Sequence, residues 1–153
     1  MHMIFTGNPG TGKTTVARIV SRYLKAIGVL EGGQLVEVTR GDLVGQYVGH
    51  TAPLTQKAIQ SALGGVLFID EAYSLYRGKD DSFGLEAIDT LVKGMEDHRD
   101  DLVVILAGYS REMEEFLTAN SGLRSRFPNI IEFPDYTAGE LVEITKSIVA
   151  SKG

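Results

Sequence analysis

HMIFTGNPGTGKTT, residues His2 to Thr15, decides how the rest of this chain is read. His2 to Thr6 is a short apolar run of strand type, and a glycine-rich turn follows at once. From Gly7 to Thr14 the turn satisfies G-x-x-x-x-G-K-[ST] at every position. Each residue type has a chemical reason. Glycines let the backbone wrap an anion so that successive N–H groups point at it, and the helix that begins there adds its positive end. Lys13 brings a point charge to the β- and γ-phosphates of a nucleotide, and the Thr14 hydroxyl suits Mg²⁺. Gly7, Asn8, Pro9, Gly10, Thr11, Gly12 and Thr15 complete the expected nucleotide-binding loop, with a nucleotide and Mg²⁺ as its ligands. The plain alternative is a glycine turn beside a surface lysine. A strand before and a helix after argue against it.

Outward from this loop, strand-like and helix-like segments alternate. Thr14 to Ile27 carries Val16, Ala17, Ile19, Val20, Tyr23, Leu24 and Ile27 at the spacing of one helix face. Leu35 to Thr39 alternates like a strand. Thr51 is expected to cap the next helix, with Pro53 in its first turn. Val66 to Ile69 and Leu102 to Ala107 are continuous apolar runs of buried-strand type, and Ile130 to Phe133 makes a fifth strand. Leu85 to Met95 and Arg111 to Leu117 read as helices, and Arg77 to Phe83 as a polar loop. Thr137 with Glu140 forms a capping box ahead of Leu141, Ile144 and Ile148. The alternation predicts an α/β fold, a parallel sheet covered by helices on both faces.

A phosphate loop binds nucleotide; hydrolysis needs carboxylates beside it. The apolar run in GGVLFIDEA ends in Asp70 and Glu71. A buried parallel strand ends at the ligand-bearing edge of such a sheet, so both carboxylates are expected beside the loop. There Asp70 holds Mg²⁺ and Glu71 orients and activates a water. The alternative is a solvated turn that merely begins with two acids. Downstream, LVVILAGYSREM ends a core strand at Tyr109 and Ser110, which either position the attacking water or supply a helix N-cap. GLRSRFP puts Arg124 and Arg126 in a loop before the last strand. Such a pair is either a solvated surface or a guanidinium finger for a neighbouring subunit's γ-phosphate.

Composition excludes several classes. The 153 residues suit one domain, with ~70% of the unfolded surface buried on folding. A formal charge of −5 argues against a generally basic nucleic-acid surface. The absence of cysteine rules out disulfides and thiolate metal sites. No apolar run approaches a membrane span, and with no signal peptide read, the cytoplasm is the default compartment.

Taken in order, GNPGTGKTT, FIDEA, AGYS and LRSRF resemble the AAA+ ATPases. HMIFTGNPGTGKTTVAR, DLVGQYVGHTA, ALGGVLFIDEAYSL, AIDTLVKGMED and LAGYSREM are similar to the branch containing stage V sporulation protein K and CbbX, the red-type rubisco activase. The resemblance implies Walker A at Gly7 to Thr14, Walker B at Asp70 and Glu71, sensor 1 around Ser110, and arginine fingers at Arg126 and Arg124. It implies the strand order 5-1-4-3-2 and a homo-oligomeric ring, commonly a hexamer, with ATP at each subunit interface. Such proteins carry a segment before the first strand that packs on adenine, and a helical lid with a sensor 2 arginine. The expectation is therefore that residues 1–136 form the large α/β subdomain and 137–153 the start of a truncated lid, within a longer protein.

The leading functional expectation is an ATP-driven protein-remodelling motor with a protein client, no membrane and no nucleic acid. A nucleic-acid-handling loader and a nucleotide-dependent assembly scaffold are the alternatives. In GQYVGHT, Gly45 to Thr51, an aromatic, an aliphatic and a glycine (Tyr47, Val48, Gly49) match the pattern with which a pore loop grips a polypeptide. Alternatively, Tyr47 folds back onto its own helix.

Overall fold

Alternating hydrophobic faces organise the chain. The computed structural model describes residues 2–8 and 10–134, together with 146, 147 and 150. Pro9, the expected boundary at 136 and the Thr137–Glu140 capping box lie outside these described residues. Five strands, β1 (Met3–Gly7), β2 (Leu35–Val38), β3 (Gly65–Ile69), β4 (Leu102–Gly108) and β5 (Asn129–Phe133), form one sheet. Every pairing is parallel, in the order β2-β3-β4-β1-β5. This is the expected order 5-1-4-3-2 read from the other edge.

The central strands are buried on both sides, which is why they read as continuous apolar runs. Successive side chains enter different layers. Met3, Phe5, Val66, Phe68, Val103 and Ile105 meet Val16, Ala17, Val20 and Leu24 of α1 (Lys13–Ala26). Ile4, Leu67, Ile69, Val104 and Leu106 face the opposite layer. That layer contains Leu43 of α2 (Arg40–Leu43), Ile59 of α3 (Thr51–Ala62), Leu91 of α4 (Ser82–Asp97), Phe116 of α5 (Ser110–Ala119) and Leu123 of α6 (Ser121–Arg124). A 3₁₀ turn, Ala72–Leu75, joins β3 to the segment before α4.

Several local expectations change. The buried seam of α1 is narrower than its apolar pattern, for Tyr23 and Ile27 remain 38% and 47% exposed. Among the described residues α1 is the helix that lies against this layer, and the sheet covers a single stripe of it. Thr51 does not cap α3. It is the first helical residue, and its hydroxyl accepts from the Gly45 N–H at 3.0 Å. The Ala52 N–H is satisfied instead by Glu86 of α4, at 2.9 Å. Ser110 likewise begins α5 rather than capping it, with Tyr109 at the cap position. Helix α4 starts at Ser82, inside the expected loop, because Asp81 caps it by accepting from the Gly84 N–H. Helix α2, which no periodicity announced, is begun by Asp42, whose carboxylate accepts from the Thr39 N–H at 2.9 Å.

Candidate active site

The carboxyl ends of three neighbouring strands build the site. Strand β4 lies between β1 and β3, so the turns leaving β1, β3 and β4 open onto one crevice. They line a cavity of about 450 Å³ with Gly10, Thr11, Gly12, Lys13, Thr14 and Thr15 from the first turn. Phe68, Asp70 and Glu71 come from the second, and Gly108 and Tyr109 from the third.

The first turn has the backbone its glycines permit. Gly10 and Gly12 have φ of +76° and +92°, which side-chain-bearing residues avoid. A Cβ at Gly10 would meet no atom within 4 Å, so this residue faces open space rather than packing. Lys13 opens α1, and its Nζ donates to the Gly7 and Asn8 carbonyls at 2.8 and 3.0 Å. Thr11 is buried and donates its hydroxyl to the Asn8 carbonyl at 2.8 Å, which closes the loop on itself. Burial holds the Lys13 ammonium below the ordinary lysine range, while the Asp70 carboxylate pulls the other way. A partly desolvated cation at a helix N-terminus, beside glycine amides, suits a polyphosphate.

Asp70 and Glu71 leave β3 differently. The Asp70 N–H still bonds the Val38 carbonyl at 3.0 Å, in sheet register. Its Oδ1 accepts from the Glu71 N–H at 2.9 Å. Glu71 then turns sharply, with φ 50° and ψ 46°, and is the one non-glycine residue with positive φ among those described. This conformation costs about 1–2 kcal/mol. Ser74 holds it, donating both its N–H and its hydroxyl to the Glu71 carbonyl, at 2.9 and 2.7 Å. The carboxylate of Glu71 is thereby exposed toward the cavity. Hard carboxylate and hydroxyl oxygens at Asp70 and Thr14 fit Mg²⁺, which prefers oxygen ligands and substrate phosphates.

Of the two strand-end candidates on β4, only Tyr109 lines this cavity. Ser110 lies on a separate groove between α5 and β5. Tyr109 stacks on Tyr73 of the 3₁₀ turn, with ring centroids 6.1 Å apart and planes at 28°. Burial first, then the charges of Glu71 and its neighbours, raise the Tyr73 hydroxyl above the ordinary tyrosine range. Sequence reasoning passed over Tyr73. Its only signal was an aromatic two residues after Glu71.

Arg126 lies toward the other end of the sheet, whereas Arg124 lines the groove that also holds Ser110, Thr6 and Glu132. Strand β5 begins at Asn129, opposite the first residue of β1, whereas the phosphate loop leaves the last. Arg126 ion-pairs with Glu96 near the end of α4, its Nε 3.1 Å from Oε1, and donates from Nη1 to the Gly122 carbonyl at 2.8 Å. Arg124 donates to the Phe127 carbonyl at 2.6 Å. Neither lines the phosphate-loop cavity. At the outer edge strand β2, the chain runs through α2 into the loop before α3. There Tyr47 is 66% exposed and Val48 88%, Gly49 has φ +87°, and the Tyr47 ring meets His50 edge-on, with centroids 5.5 Å apart.

Comparison with known proteins follows this geometry. Residues 3–135 match the family described as ATPase family associated with various cellular activities (AAA). The chain is 58% identical over 149 residues to stage V sporulation protein K of Bacillus subtilis (strain 168), covering 97% of this chain and 46% of that protein. Protein CbbX of Cereibacter sphaeroides is 59% identical over 145 residues, 94% of this chain and 47% of that one. The chloroplastic ribulose bisphosphate carboxylase/oxygenase activase of Cyanidioschyzon merolae (strain NIES-3377 / 10D) is 56% identical over 147 residues, 95% and 50%. The chain thus spans about half the length of the curated relatives it matches. A crystal structure of the FIGL-1 AAA domain in complex with ADP superposes with a TM-score of 0.60 at 24% identity, over 86% of this chain and 42% of that one. At that identity it speaks for the fold. With the parallel sheet, the phosphate loop and the paired acids on one edge, the chain belongs to the AAA family of ATPases.

Proposed function

We propose that this chain is the ATP-binding and hydrolysing large subdomain of a ring-forming, protein-remodelling motor similar to stage V sporulation protein K and CbbX. One observation carries the reading: Lys13, Thr14, Asp70 and Glu71 line the same cavity, while the exposed Tyr47 and Val48 extend from the sheet's outer edge. ATP is the substrate. The turn from Gly7 to Thr15 encloses its phosphates, and Lys13 exchanges its backbone carbonyl partners for phosphate oxygens. Thr14 and Asp70 hold Mg²⁺, which when bound neutralises charge on the phosphates. Glu71 accepts a proton from the attacking water as oxygen bonds to the γ-phosphorus and ADP leaves. Tyr109 contributes its hydroxyl on the wall of the same cavity, in the part first assigned to Ser110.

Arg126, with Arg124 beside it, acts on a neighbouring subunit's nucleotide. It lies toward the amino ends of the strands, away from its own phosphate loop at their carboxyl ends, which supports action in trans. The exposed ion pair with Glu96 holds it until the neighbour engages; such a pair is worth about 0–1 kcal/mol and yields readily. The ring is a hexamer in the cytoplasm, and its pore loops, Tyr47 to Gly49, grip a polypeptide client without reading its sequence.

The test is the ATPase rate of the full-length protein with an unfolded polypeptide, with DNA, and with neither. Stimulation by polypeptide that Tyr47→Ala abolishes, at unchanged basal rate, is the expected result. Stimulation by DNA alone refutes the reading.

A further inference from the structure

Arg40 is a half-buried cation outside the phosphate site, and its bonds reach both ends of the molecule's proposed work. Its guanidinium grips the Asp81 carboxylate two-fold, with Nη1 2.7 Å from Oδ2 and Nη2 3.0 Å from Oδ1. Both side chains are largely withdrawn from water, at 18% and 11% exposure. A fork-to-fork pair of this kind is directional and rigid, unlike a solvated ion pair. The Arg40 hydrogen bonds hold the Asp81 carboxyl below the usual carboxylate range, against a smaller opposing effect of burial.

On one side the network runs to the catalytic turn. Arg40 Nη1 also donates to the Ser74 carbonyl at 2.8 Å. Ser74 in turn donates its N–H and hydroxyl to the Glu71 carbonyl, the contact that holds Glu71 in its strained conformation. On the other side Arg40 is the first residue of α2, the stem of the Tyr47 loop. Its carbonyl accepts from the Val44 N–H at 2.8 Å, and the Leu43 carbonyl accepts from the buried Thr55 hydroxyl at 2.9 Å. The Gly45 N–H to Thr51 Oγ bond then closes the base of the loop. Packed, hydrogen-bonded elements shift as units, so a displacement of α2 reaches the Glu71 turn through a single side chain.

We propose that Arg40 is a positioning residue that couples the Tyr47 loop to the Glu71 turn, so that a polypeptide on the loop changes the hydrolysis rate. The coupling is reciprocal in binding terms: nucleotide at the cavity changes how tightly the loop holds the polypeptide. The inference rests on the reading of Tyr47 as the polypeptide contact. A role in stability alone would lower basal and stimulated turnover together; coupling lowers their ratio.

The experiment measures turnover of the full-length protein with and without reduced, carboxymethylated α-lactalbumin as the unfolded probe, alongside the affinity for a fluorescent ATP analogue. Arg40→Ala and Asp81→Asn are compared with Tyr47→Ala. Asp81→Asn keeps an oxygen to cap α4 and removes the ion pair, so it decides the matter should Arg40→Ala fail to fold. Expected is a loss of more than threefold in the ratio of the polypeptide-stimulated increment to basal turnover for both network variants, with nucleotide affinity within twofold of the parent. If that ratio stays within threefold of the parent while Tyr47→Ala abolishes the increment, Arg40 does not couple the two and the pore-loop reading stands. If Tyr47→Ala itself leaves the increment intact, that reading falls, and the coupling falls with it.

Discussion

Exchanging His2 for asparagine should remove an acid-sensitive component of this fold's stability. His2 is 9% exposed, and its ring packs against Phe127, with ring centroids 5.7 Å apart. Its Nδ1 accepts the Val104 N–H at 2.9 Å, so the neutral ring carries its proton on Nε2. Protonating Nδ1 would set a donor against a donor. Burial chiefly lowers the His2 pKa from 6.5 to about 4. Between those values the unfolded chain binds more protons than the folded one, so stability rises with pH there. It is fully present above about pH 6.5 and is lost as the pH falls toward 4. A shift of about 2.5 units (6.5 − 4) at ~1.36 kcal/mol each amounts to about 3 kcal/mol. That is a large share of the ~5–15 kcal/mol that holds a domain of this kind together. Urea unfolding midpoints of the parent and His2→Asn, taken at several pH values from neutrality to about 4.5, measure it. Asparagine offers an oxygen near the Nδ1 position without titrating, and the carboxylates common to both proteins cancel in the difference. The parent should lose the larger amount of stability. Equal losses in the two proteins would refute the argument.

Three further outcomes follow from the site. Glu71→Gln should cut turnover by ~10²–10⁴ while nucleotide still binds; an unchanged rate would remove Glu71 as the base. Tyr109→Phe should slow turnover more than Ser110→Ala, because only Tyr109 lines the cavity, and the reverse order in steady-state assays would restore the serine. Mixing Arg126→Ala subunits with Lys13→Ala subunits should recover part of the ATPase activity that each lacks alone. No recovery at any ratio would count against a finger acting across subunits.

Much of the site was legible because it is local. The phosphate loop is a run of adjacent backbone amides, and its glycines are demanded by dihedrals that each residue adopts by itself. Asp70 and Glu71 were legible for a related reason. A run of apolar residues ending in two acids is the trace of a buried strand emerging at its carboxyl end. Ser110 was harder. Where a chain leaves β4, one residue of rotation separates the cavity from the groove beside α5, and apolar patterning does not resolve that step. Thr51 fits the N-cap preference yet serves the Gly45 amide, because Glu86 reaches the helix end from 34 positions along the chain.

The sequence by itself determined the α/β class, the phosphate loop and the acidic pair after β3, and it singled out the aromatic of GQYVGHT, whose exposure the structure decided. Each rests on spacing, dihedral preference or hydrophobic alternation, all short-range properties. Only the tertiary structure decided that Tyr109 rather than Ser110 faces the cavity, and that Arg126 lies toward the amino ends of the strands, away from its own phosphate loop. It alone decided that Arg40 pairs with Asp81 and joins the loop stem to the Glu71 turn through Ser74. Those are contacts between residues 34 and 41 positions apart, and their existence depends on how helices stack on the sheet. Periodicity carries no record of such distances, because the partner of a side chain is chosen by the packing of the whole layer.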